Sequence, residues 1–201
     1  PDLKERHLPE NCRETINTIL KETYGYEQFR NLEIYDDLSK GKEKLCISQG
    51  QLIENVILEA EKAWKGETQV DNILLTAPTG SGKSLLFQLP AIYLGKEYNL
   101  LTIVVSPLKA LIVDQVESLQ ELGYTRVAYA SSDLSPEQKM EVYRQVREGE
   151  IDLFYLSPEL LLSYDIKHFV GERRIGLVVV DEAHTVTTWG KEFRVDYWFL
   201  G

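Results

Sequence analysis

The chain has 201 residues, of which 43% are hydrophobic and 27% charged, the usual balance of a globular protein with one sizeable core. Its formal net charge of −10 argues against non-specific nucleic-acid binding through overall basicity, although a local phosphate-binding track is compatible with it. Two distant cysteines, no signal peptide and no apolar run near the roughly 20 residues that cross a bilayer argue against a disulfide framework, a zinc site or a membrane partner, and predict a cytoplasmic location.

Residues 1–50 are predicted to form a helical segment with a charged loop inserted in it. In "ENCRETINTILKETYG", Ile16, Ile19 and Leu20 share one face and a tyrosine–glycine pair stands at the end, which indicates an amphipathic helix and its stop. "NLEIYDDLSKGKEKLC" follows, and its many charges indicate a loop. A second helix is expected from about Gln51 to Trp64.

Short apolar runs rich in β-branched residues alternate with helical patterns along the rest of the chain. The runs are "NILLT" from Asn72, "LTIVVS" from Leu101, "RVAYA" from Arg126, "DLFYL" from Asp152 and "GLVVV" from Gly176. Candidate helices lie between them at 83–94, 109–122 and 135–148, and Ser135 and Gln138 stand at the capping-box positions of the last one. This alternation predicts an α/β fold with an open, mainly parallel sheet flanked by helices.

"APTGSGKS" follows the first of these runs and opens a helix, which is the context of a phosphate-binding loop, with Ala77 where glycine is usual. Glycine allows consecutive backbone N–H groups to turn toward an anion at a helix N-terminus. Lys83 would offset the charge of the terminal phosphates, and the Ser84 hydroxyl would bind Mg²⁺. The expected nucleotide-binding residues of the loop are Thr79, Gly80, Ser81, Gly82, Lys83 and Ser84. The alternative is a glycine-rich turn that carries Lys–Ser without a ligand.

Two carboxylates follow the last apolar run, in "VVVDEAH". Ligands of open α/β sheets bind at the carboxyl ends of the strands, so these side chains are candidates for nucleotide chemistry. Asp181 would hold Mg²⁺ through water, and Glu182 would orient and deprotonate an attacking water. The alternative is an acidic helix start that the helix dipole stabilises.

These motifs, together with "VVSPLKALIVDQ" and "YLSPELL", resemble the superfamily-2 helicase motifs in order and approximate spacing. "TVTTWGKEFRVDY" after "DEAH" resembles the aromatic-rich loop of the RecQ-like DNA helicases, and "ETYGYEQFR" resembles their adenine-recognition segment. The resemblance implies a RecA-like P-loop domain over residues 51–201, incomplete at its C-terminus, after an N-terminal helical segment. It implies a first motor domain that uses ATP and Mg²⁺ to move along single-stranded DNA and unwind duplexes, with single-stranded DNA or a tailed duplex as partner.

The resemblance also implies roles for individual residues on the nucleotide side. Tyr26 would stack on the adenine with Arg30 nearby, and a glutamine would recognise the edge of the base. An insertion at about residues 31–48 separates that glutamine from Arg30, so Gln51 is the first choice and Gln49 the fallback. Surface and helix-start positions are the alternative for these residues.

On the DNA side, three residues match the aromatic-rich loop, namely Trp189, Phe193 and Arg194. Aromatic faces stack on any base and arginine meets phosphate, so such a loop would bind a single strand without reading its sequence. His184 would link the nucleotide site to this loop. Backbone contacts with DNA are expected from Ser106, Lys109 and Ser157. The alternatives are core packing for the aromatic residues and ordinary loop roles for the others.

Three residues differ from the pattern of the RecQ-like family: Lys191 lies where the family has histidine, Val195 where it has proline, and Leu160 where it has arginine. The chain stops before the next family motif, and a second RecA-like domain with arginine fingers is expected in a larger enzyme, so this fragment alone should be weakly active or inactive. Two other functions stay open. One is a superfamily-2 RNA helicase or duplex translocase, and the other is a nucleotide-binding regulatory module without unwinding activity.

Overall fold

Residues 8–35, 44–75, 80 and 82–182 are those that the computed structural model describes, and the chain divides into two units, Pro1–Tyr93 and Leu94–Gly201. The first unit begins with α1, Glu14–Tyr24, whose Ile16, Ile19 and Leu20 are buried. Gly25 ends α1 in the left-handed region at φ 69°, and its N–H donates to Lys21 O at 3.0 Å. The amphipathic helix and its glycine stop are confirmed.

The expectation of a charged loop after α1 is wrong, because this stretch contains an antiparallel pair of strands. Strand β1 spans Asn31–Tyr35 and β2 spans Lys44–Ser48, with Asn31 opposite Ser48 and Tyr35 opposite Lys44. Polar and apolar residues alternate over Asn31–Ile34 of "NLEIY", and in "KLCIS" Cys46 is exposed while Ile47 is buried, which is the two-residue period of a strand. The charges concentrated in residues 36–43 obscure this period when the whole stretch is averaged.

The second helix, α2, spans Gln49–Trp64 and follows β2 without a linker, two residues earlier than expected. Ser48 caps it: Ser48 Oγ accepts a hydrogen bond from Gly50 N at 3.2 Å, and Ser48 N donates to Gln51 Oε1 at 3.1 Å. These reciprocal bonds form a capping box, which satisfies backbone donors at the helix start. Because the last strand residue is also the helix cap, β2 fixes where α2 begins.

Arg13 joins elements of the first unit through a partly buried ion pair network. Its guanidinium lies 2.6 Å from Glu54 Oε1 and 2.6 Å from Glu61 Oε1, both on α2. It also lies 4.8 Å from the ring centroid of Tyr93 on α3, which spans Leu85–Tyr98. Burial lowers the pKa of Arg13, but the hydrogen bonds that it donates to Glu61 and Glu54 outweigh burial and raise the pKa above its ordinary value. The start of α1 is thereby held to α2 and to the part of α3 in this unit.

The apolar run that begins at Asn72 does not form a strand over its described residues, Asn72 to Leu75, so this expectation is wrong. Leu74 is 83% exposed and Ile73 is 39% exposed. A β-branched run becomes a strand only where a neighbouring strand pairs with it, because β propensity depends on context. The composition of the run could not supply that information.

The second unit contains a four-stranded parallel sheet with the order β4-β5-β3-β6. Its strands are β3 Leu101–Val105, β4 Val127–Ala130, β5 Leu153–Leu156 and β6 Ile175–Val180. The helices after α3 are α4 Lys109–Glu121, α5 Pro136–Arg147, α6 Pro158–Ser163 and α7 Ile166–Val170. The predicted parallel α/β sheet with flanking helices is confirmed, as are the helix at 109–122 and the capping box of Ser135 and Gln138. None of the helices in the described ranges is long and apolar enough to cross a membrane.

The core of the second unit forms where α5 and α7 pack near the sheet. Phe154 on β5 and Phe169 on α7 are fully buried, and the Tyr143 ring on α5 lies edge-on to Phe169 with centroids 5.1 Å apart. Edge-to-face aromatic pairs add to the stabilisation from burying their area. One apolar cluster therefore joins β3, β4 and β5 to α5, α6 and α7.

A buried ionic cluster ties together the segments that precede β4, β5 and β6. Asp152 is fully buried, and its carboxylate lies 2.6 Å from Arg126 Nε and 3.5 Å from Arg173 Nη2. Tyr124 donates its hydroxyl to the same carboxylate at 3.4 Å, and burial raises the pKa of Tyr124 well above its ordinary value. A β-carbon on Gly95 would lie 2.5 Å from Asp152 Cγ, so α3 approaches the cluster at a residue without a side chain.

Candidate functional site

A cavity of about 220 Å³ lies in the first unit, between the segment after α1, the start of α2 and the turn that opens α3. Its lining residues are Tyr24, Tyr26, Gln28, Arg30, Gln49, Gly82, Ser84, Leu85 and Gln88. Pockets for whole drug-sized ligands usually measure about 300–1,000 Å³, so this cavity suits one ring-sized part of a larger ligand. Four residues expected at a nucleotide site, namely Tyr26, Arg30, Gly82 and Ser84, meet here.

The turn that opens α3 is the described part of the predicted phosphate loop. Gly80 and Gly82 both lie in the left-handed region, at φ 80° and 79°, where a residue with a side chain is strained. Leu85 N donates to Gly82 O at 3.2 Å and Leu86 N donates to Lys83 O at 3.0 Å, so the chain tightens directly into the helix. Lys83 therefore stands at a helix N-terminus, a position that favours anions. Thr79 and Ser81 lie outside the described residues.

Gln49 connects the cavity to this turn. Its side chain is buried, with the residue only 2% exposed, and Oε1 accepts a hydrogen bond from Arg30 N at 3.2 Å. Gln49 N in turn donates to Arg30 O at 2.9 Å. A β-carbon on Gly82 would lie 2.7 Å from Gln49 Nε2, so the amide fits closely against this glycine. Arg30, Gln49 and Gly82, which are far apart in sequence, are thus brought into one arrangement.

Gln51, the first choice for recognising adenine, is not among the residues that line the cavity. Its side-chain oxygen accepts from Ser48 N, and its Nε2 donates to Pro9 O at 3.1 Å. Both ends of the amide are therefore engaged at the start of α2. The spacing of Ser48 and Gln51 is that of a capping box, a signal in the sequence that distinguishes Gln51 from Gln49.

Two tyrosines stand at the mouth of the cavity. Tyr26 is 51% exposed, and its ring stacks with that of Tyr24 at a centroid distance of 6.3 Å and an interplanar angle of 14°. The Tyr24 hydroxyl donates to Gln88 Oε1 on α3 at 3.0 Å. The sequence predicts neither Tyr24 nor Gln88 at the site. Tyr24 belongs to the tyrosine–glycine pair that marks the end of α1, and Gln88 carries no motif. The exposed face of Tyr26 offers a platform for a planar ring.

In the second unit, Asp181 and Glu182 follow β6 at the carboxyl edge of the sheet. Asp181 N donates to Val105 O at 2.9 Å, and Glu182 N donates to Asp181 Oδ1 at 2.9 Å. Glu182 has φ 51°, a left-handed value that is uncommon for a residue with a side chain and that often marks functional positions. His184 lies outside the described residues. Over the described ranges, no group of three or more His, Cys, Asp and Glu side chains is placed to hold a metal ion by itself.

The expected DNA-contacting residues that the structure describes also lie at this sheet edge. Ser106 and Ser157 follow β3 and β5 and are 2% and 0% exposed. Within the described part of the chain, neither hydroxyl has a hydrogen-bond partner. Lys109, at the start of α4, is half-buried and donates to Ser132 Oγ at 2.7 Å and to Asp133 Oδ1 at 2.8 Å. The aromatic-rich loop, with Trp189, Phe193 and Arg194, lies outside the described residues.

The chain is similar to bacterial helicases over most of its length. It is 30% identical to the ATP-dependent DNA helicase RecQ of Haemophilus influenzae over 187 residues, which cover 93% of this chain and 25% of the relative. It is 34% identical to RecQ of Synechocystis over 191 residues, or 94% of this chain and 33% of the relative. The chain therefore spans about a quarter to a third of the length of these curated relatives.

Solved structures of helicases share the fold. The DUF1998 helicase MrfA, crystallised with DNA and AMPPNP, superposes on 90% of this chain with a TM-score of 0.52 and 22% identity, over 22% of its own chain. The UvsW helicase of bacteriophage T4 superposes on 91% of this chain with a TM-score of 0.50 and 17% identity, over 55% of its own chain. The mixed α/β architecture is therefore a RecA-like helicase fold.

The family description DEAD/DEAH box helicase matches residues 51–199, most of the chain. This range contains the phosphate-loop turn, the carboxylates after β6 and the serines at the sheet edge. The match agrees with the fold of the second unit and its parallel sheet. The chain belongs to the DEAD/DEAH box helicase family.

Proposed function

We propose that this chain is the first motor domain of an ATP-dependent, RecQ-like DNA helicase. The observation that supports it most is the cavity in which Tyr26, Arg30 and Gln49 adjoin Gly82 and Ser84 of the phosphate-loop turn. A pocket for a planar base beside a turn for phosphates is what an NTP-driven motor needs. The proposed division is an N-terminal segment, residues 1–50, which carries the adenine motif, followed by a RecA-like domain, residues 51–201.

Adenine would bind in the cavity against the exposed face of Tyr26. A glutamine amide carries both a donor and an acceptor, and such an amide can pair with adenine N6 and N7 at once. We assign this role to Gln49 in place of Gln51, because Gln49 lines the cavity and Gln51 does not. Arg30, whose backbone holds Gln49, would lie beside the base.

The phosphates would extend from the cavity to the loop at residues 79–84. Lys83 would offset the charge of the terminal phosphates, and the backbone at Gly80 and Gly82 would approach them closely. Ser84 and Asp181 fit Mg²⁺ by their chemistry, since a hydroxyl and a carboxylate are the oxygen ligands it prefers, and phosphates and water would supply the rest. Bound Mg²⁺ neutralises phosphate charge. Glu182 would take the proton of the attacking water, and His184 would relay the state of the site to the loop that follows.

Single-stranded DNA would bind along the carboxyl edge of the sheet. The resemblance to RecQ DNA helicases supports contacts from Ser106, Lys109 and Ser157 and stacking by Trp189 and Phe193, with Arg194 on a phosphate. A full helicase cycle also requires a second RecA-like domain, which we place outside this chain. The arginine finger of that domain would accelerate ATP hydrolysis by about 10³–10⁵-fold.

The test is the ATPase rate of the full-length protein with single-stranded DNA, duplex DNA and RNA in parallel. The proposal predicts the strongest stimulation by single-stranded DNA. Equal or stronger stimulation by RNA or duplex DNA would favour the alternative helicase or translocase. ATP binding without hydrolysis under any condition would favour a regulatory module.

One variant separates DNA sensing from folding. Trp189→Ala removes a stacking face whose contribution to single-strand binding is about 1–3 kcal/mol per base. It should keep basal ATP binding and lose most of the stimulation by single-stranded DNA. A residue of the core would behave differently: its loss would lower the melting temperature and every activity together.

A further inference from the structure

The β1–β2 hairpin interrupts the base-binding edge of the cavity. Arg30 immediately precedes β1 and Gln49 immediately follows β2, and both residues line the cavity. The whole hairpin therefore lies between two residues that must act on the same base. An insertion at this point could separate them, but its two ends are paired and hold them together.

The pairing continues from the hairpin into the cavity wall. Asn31 lies opposite Ser48 as the first pair of the ladder. One step further, Gln49 N donates to Arg30 O at 2.9 Å, and Arg30 N donates to Gln49 Oε1 at 3.2 Å. The last step thus uses the Gln49 side chain where a backbone carbonyl would normally accept. The orientation of the Gln49 amide is a consequence of the strand register.

Packing around the hairpin base leaves this arrangement little freedom. The capping box at Ser48 joins β2 to α2 without a linker, so Gln49 cannot rotate independently of the strand. A β-carbon on Gly50 would lie 2.7 Å from Phe29 Cδ2, which shows how closely the segment before Arg30 approaches α2. On its other side, the Gln49 amide lies against Gly82. The residues at the open end of the hairpin, Arg30 and Gln49, therefore connect the cavity to the phosphate-loop turn.

We propose that the β1–β2 hairpin is the positioning element for base selectivity, and that the pairing at its base sets the Gln49 amide for adenine. This inference rests on the proposed ATP-binding function. Strand register at Asn31 and Ser48 determines where Gln49 stands, and Gln49 determines which base the cavity accepts. Residues 36–43, which connect the two strands in the sequence, do not contribute to selectivity.

The test compares the same insertion at two places in the full-length protein. Two glycines between Arg30 and Asn31 break the register at the hairpin base, whereas two glycines between Lys40 and Gly41 change the composition equally and leave the base intact. Binding of ATP, GTP and inorganic tripolyphosphate is measured by titration calorimetry. Tripolyphosphate reports the phosphate loop alone, because it carries no base.

The insertion between Arg30 and Asn31 should lower the ratio of ATP to GTP affinity by about 10-fold or more, since a bidentate amide–adenine pair discriminates between bases by about 1–3 kcal/mol. Tripolyphosphate binding should stay at the wild-type level, and the distal insertion should change none of the three. An unchanged ATP to GTP ratio in the base insertion overturns the inference. A parallel loss of tripolyphosphate binding also overturns it, because that indicates a general structural role.

Failure of the proposed function gives a different result: the wild-type protein itself would bind ATP no better than GTP or tripolyphosphate. A second variant covers the case in which the base insertion does not fold. Gly50→Ala raises the helix propensity of α2 but displaces Phe29 beside Arg30. It should lower the ATP to GTP ratio in the same direction, and a wild-type ratio in this variant contradicts the inference.

Discussion

Gly82 is part of the phosphate-loop turn and also lines the cavity that we propose for adenine. Two independent constraints act on it: a left-handed backbone with φ 79°, and a glutamine amide nitrogen 2.7 Å from the place of a β-carbon. Either constraint alone is tolerable, because strain at one residue or a shifted side chain costs little. Together they leave no room for a side chain without moving Gln49.

Gly82→Ala should therefore weaken ATP binding by about 10-fold or more, because the displaced Gln49 amide loses a pairing with adenine that is worth about 1–3 kcal/mol. Gly66→Ala is the matched control, since Gly66 has φ 80° and a β-carbon there would meet nothing within 4 Å. The control should lose only about 1–2 kcal/mol of stability from left-handed strain and keep its ATP affinity. Equal ATP affinities in the two variants, measured by calorimetry, would refute the close fit between Gln49 and Gly82.

Lys109, which we propose as a DNA contact, already forms an ion pair with Asp133. Its ammonium lies 2.8 Å from Asp133 Oδ1, and the hydrogen bond from Lys109 holds the pKa of Asp133 below its ordinary value. A depressed carboxyl pKa means that the ion pair persists at neutral pH and is lost only as the pH falls through that lowered pKa. At neutral pH a DNA phosphate would have to compete with Asp133 for Lys109.

Asp133→Asn should therefore tighten single-stranded DNA binding and steepen its salt dependence by about 0.7 in the slope of log K against log[salt], the value for one added phosphate contact. Glu117→Gln removes one negative charge elsewhere on α4 and serves as the control for net charge. Fluorescence anisotropy over a salt series gives both quantities. Identical slopes for Asp133→Asn and Glu117→Gln would show that Lys109 does not bind DNA.

At the scale of elements, the sequence predicted what depends on local pattern and missed what depends on pairing. The strands from Leu101, Val127, Leu153 and Ile175 coincide with the apolar runs of the sequence, because the strands of a parallel sheet flanked by helices are apolar over most of their length. The hairpin was missed since its short alternating stretches flank a charged segment. The run from Asn72 was assigned to a strand because composition cannot reveal whether a neighbour pairs with it.

The cavity was predictable only in part for the same reason. Tyr26, Arg30 and the phosphate-loop glycines have recognisable local patterns, and they line the cavity or form its turn. The choice between Gln49 and Gln51 depends on where α2 begins, and that depends on the hairpin. The participation of Tyr24 and Gln88 arises from packing between α1 and α3 and has no local signal.

Helix α3 offers a test of packing at the element scale. Gly95→Ala would ordinarily stabilise a helix by about 1 kcal/mol. Here the new β-carbon would lie 2.5 Å from the buried Asp152 carboxylate carbon, so the substitution should instead destabilise by about 1–3 kcal/mol through overpacking. Lys96→Ala, at the next and exposed position, should stay within about 0.5 kcal/mol of wild type. Thermal or urea unfolding measures both, and a more stable Gly95→Ala variant would contradict the packing described for Asp152.

At the scale of the whole molecule, the residues that we propose for ATP and DNA are distributed over both units. The base pocket and phosphate-loop turn belong to the first, and the carboxylates and serines at the sheet edge belong to the second. The net charge of −10 gives no general affinity for DNA, so the proposed DNA binding would come from local residues such as Lys109 and the aromatic-rich loop. Stimulation of ATP hydrolysis by DNA, which we propose, would therefore depend on residues of both units.

The most direct test of an ATP-driven DNA motor is the rate of ATP hydrolysis by the full-length protein with and without single-stranded DNA, measured beside ATP binding. Single-stranded DNA should accelerate hydrolysis by the wild-type protein. Lys83→Ala should lose binding and hydrolysis, while Lys96→Ala, an exposed lysine on α3, should keep both. Glu182→Gln should bind ATP normally and hydrolyse it about 10²–10⁴ times more slowly, since an amide cannot accept the proton of water. Wild-type turnover in Lys83→Ala, or hydrolysis that single-stranded DNA leaves unchanged in the wild-type protein, would contradict the central claim.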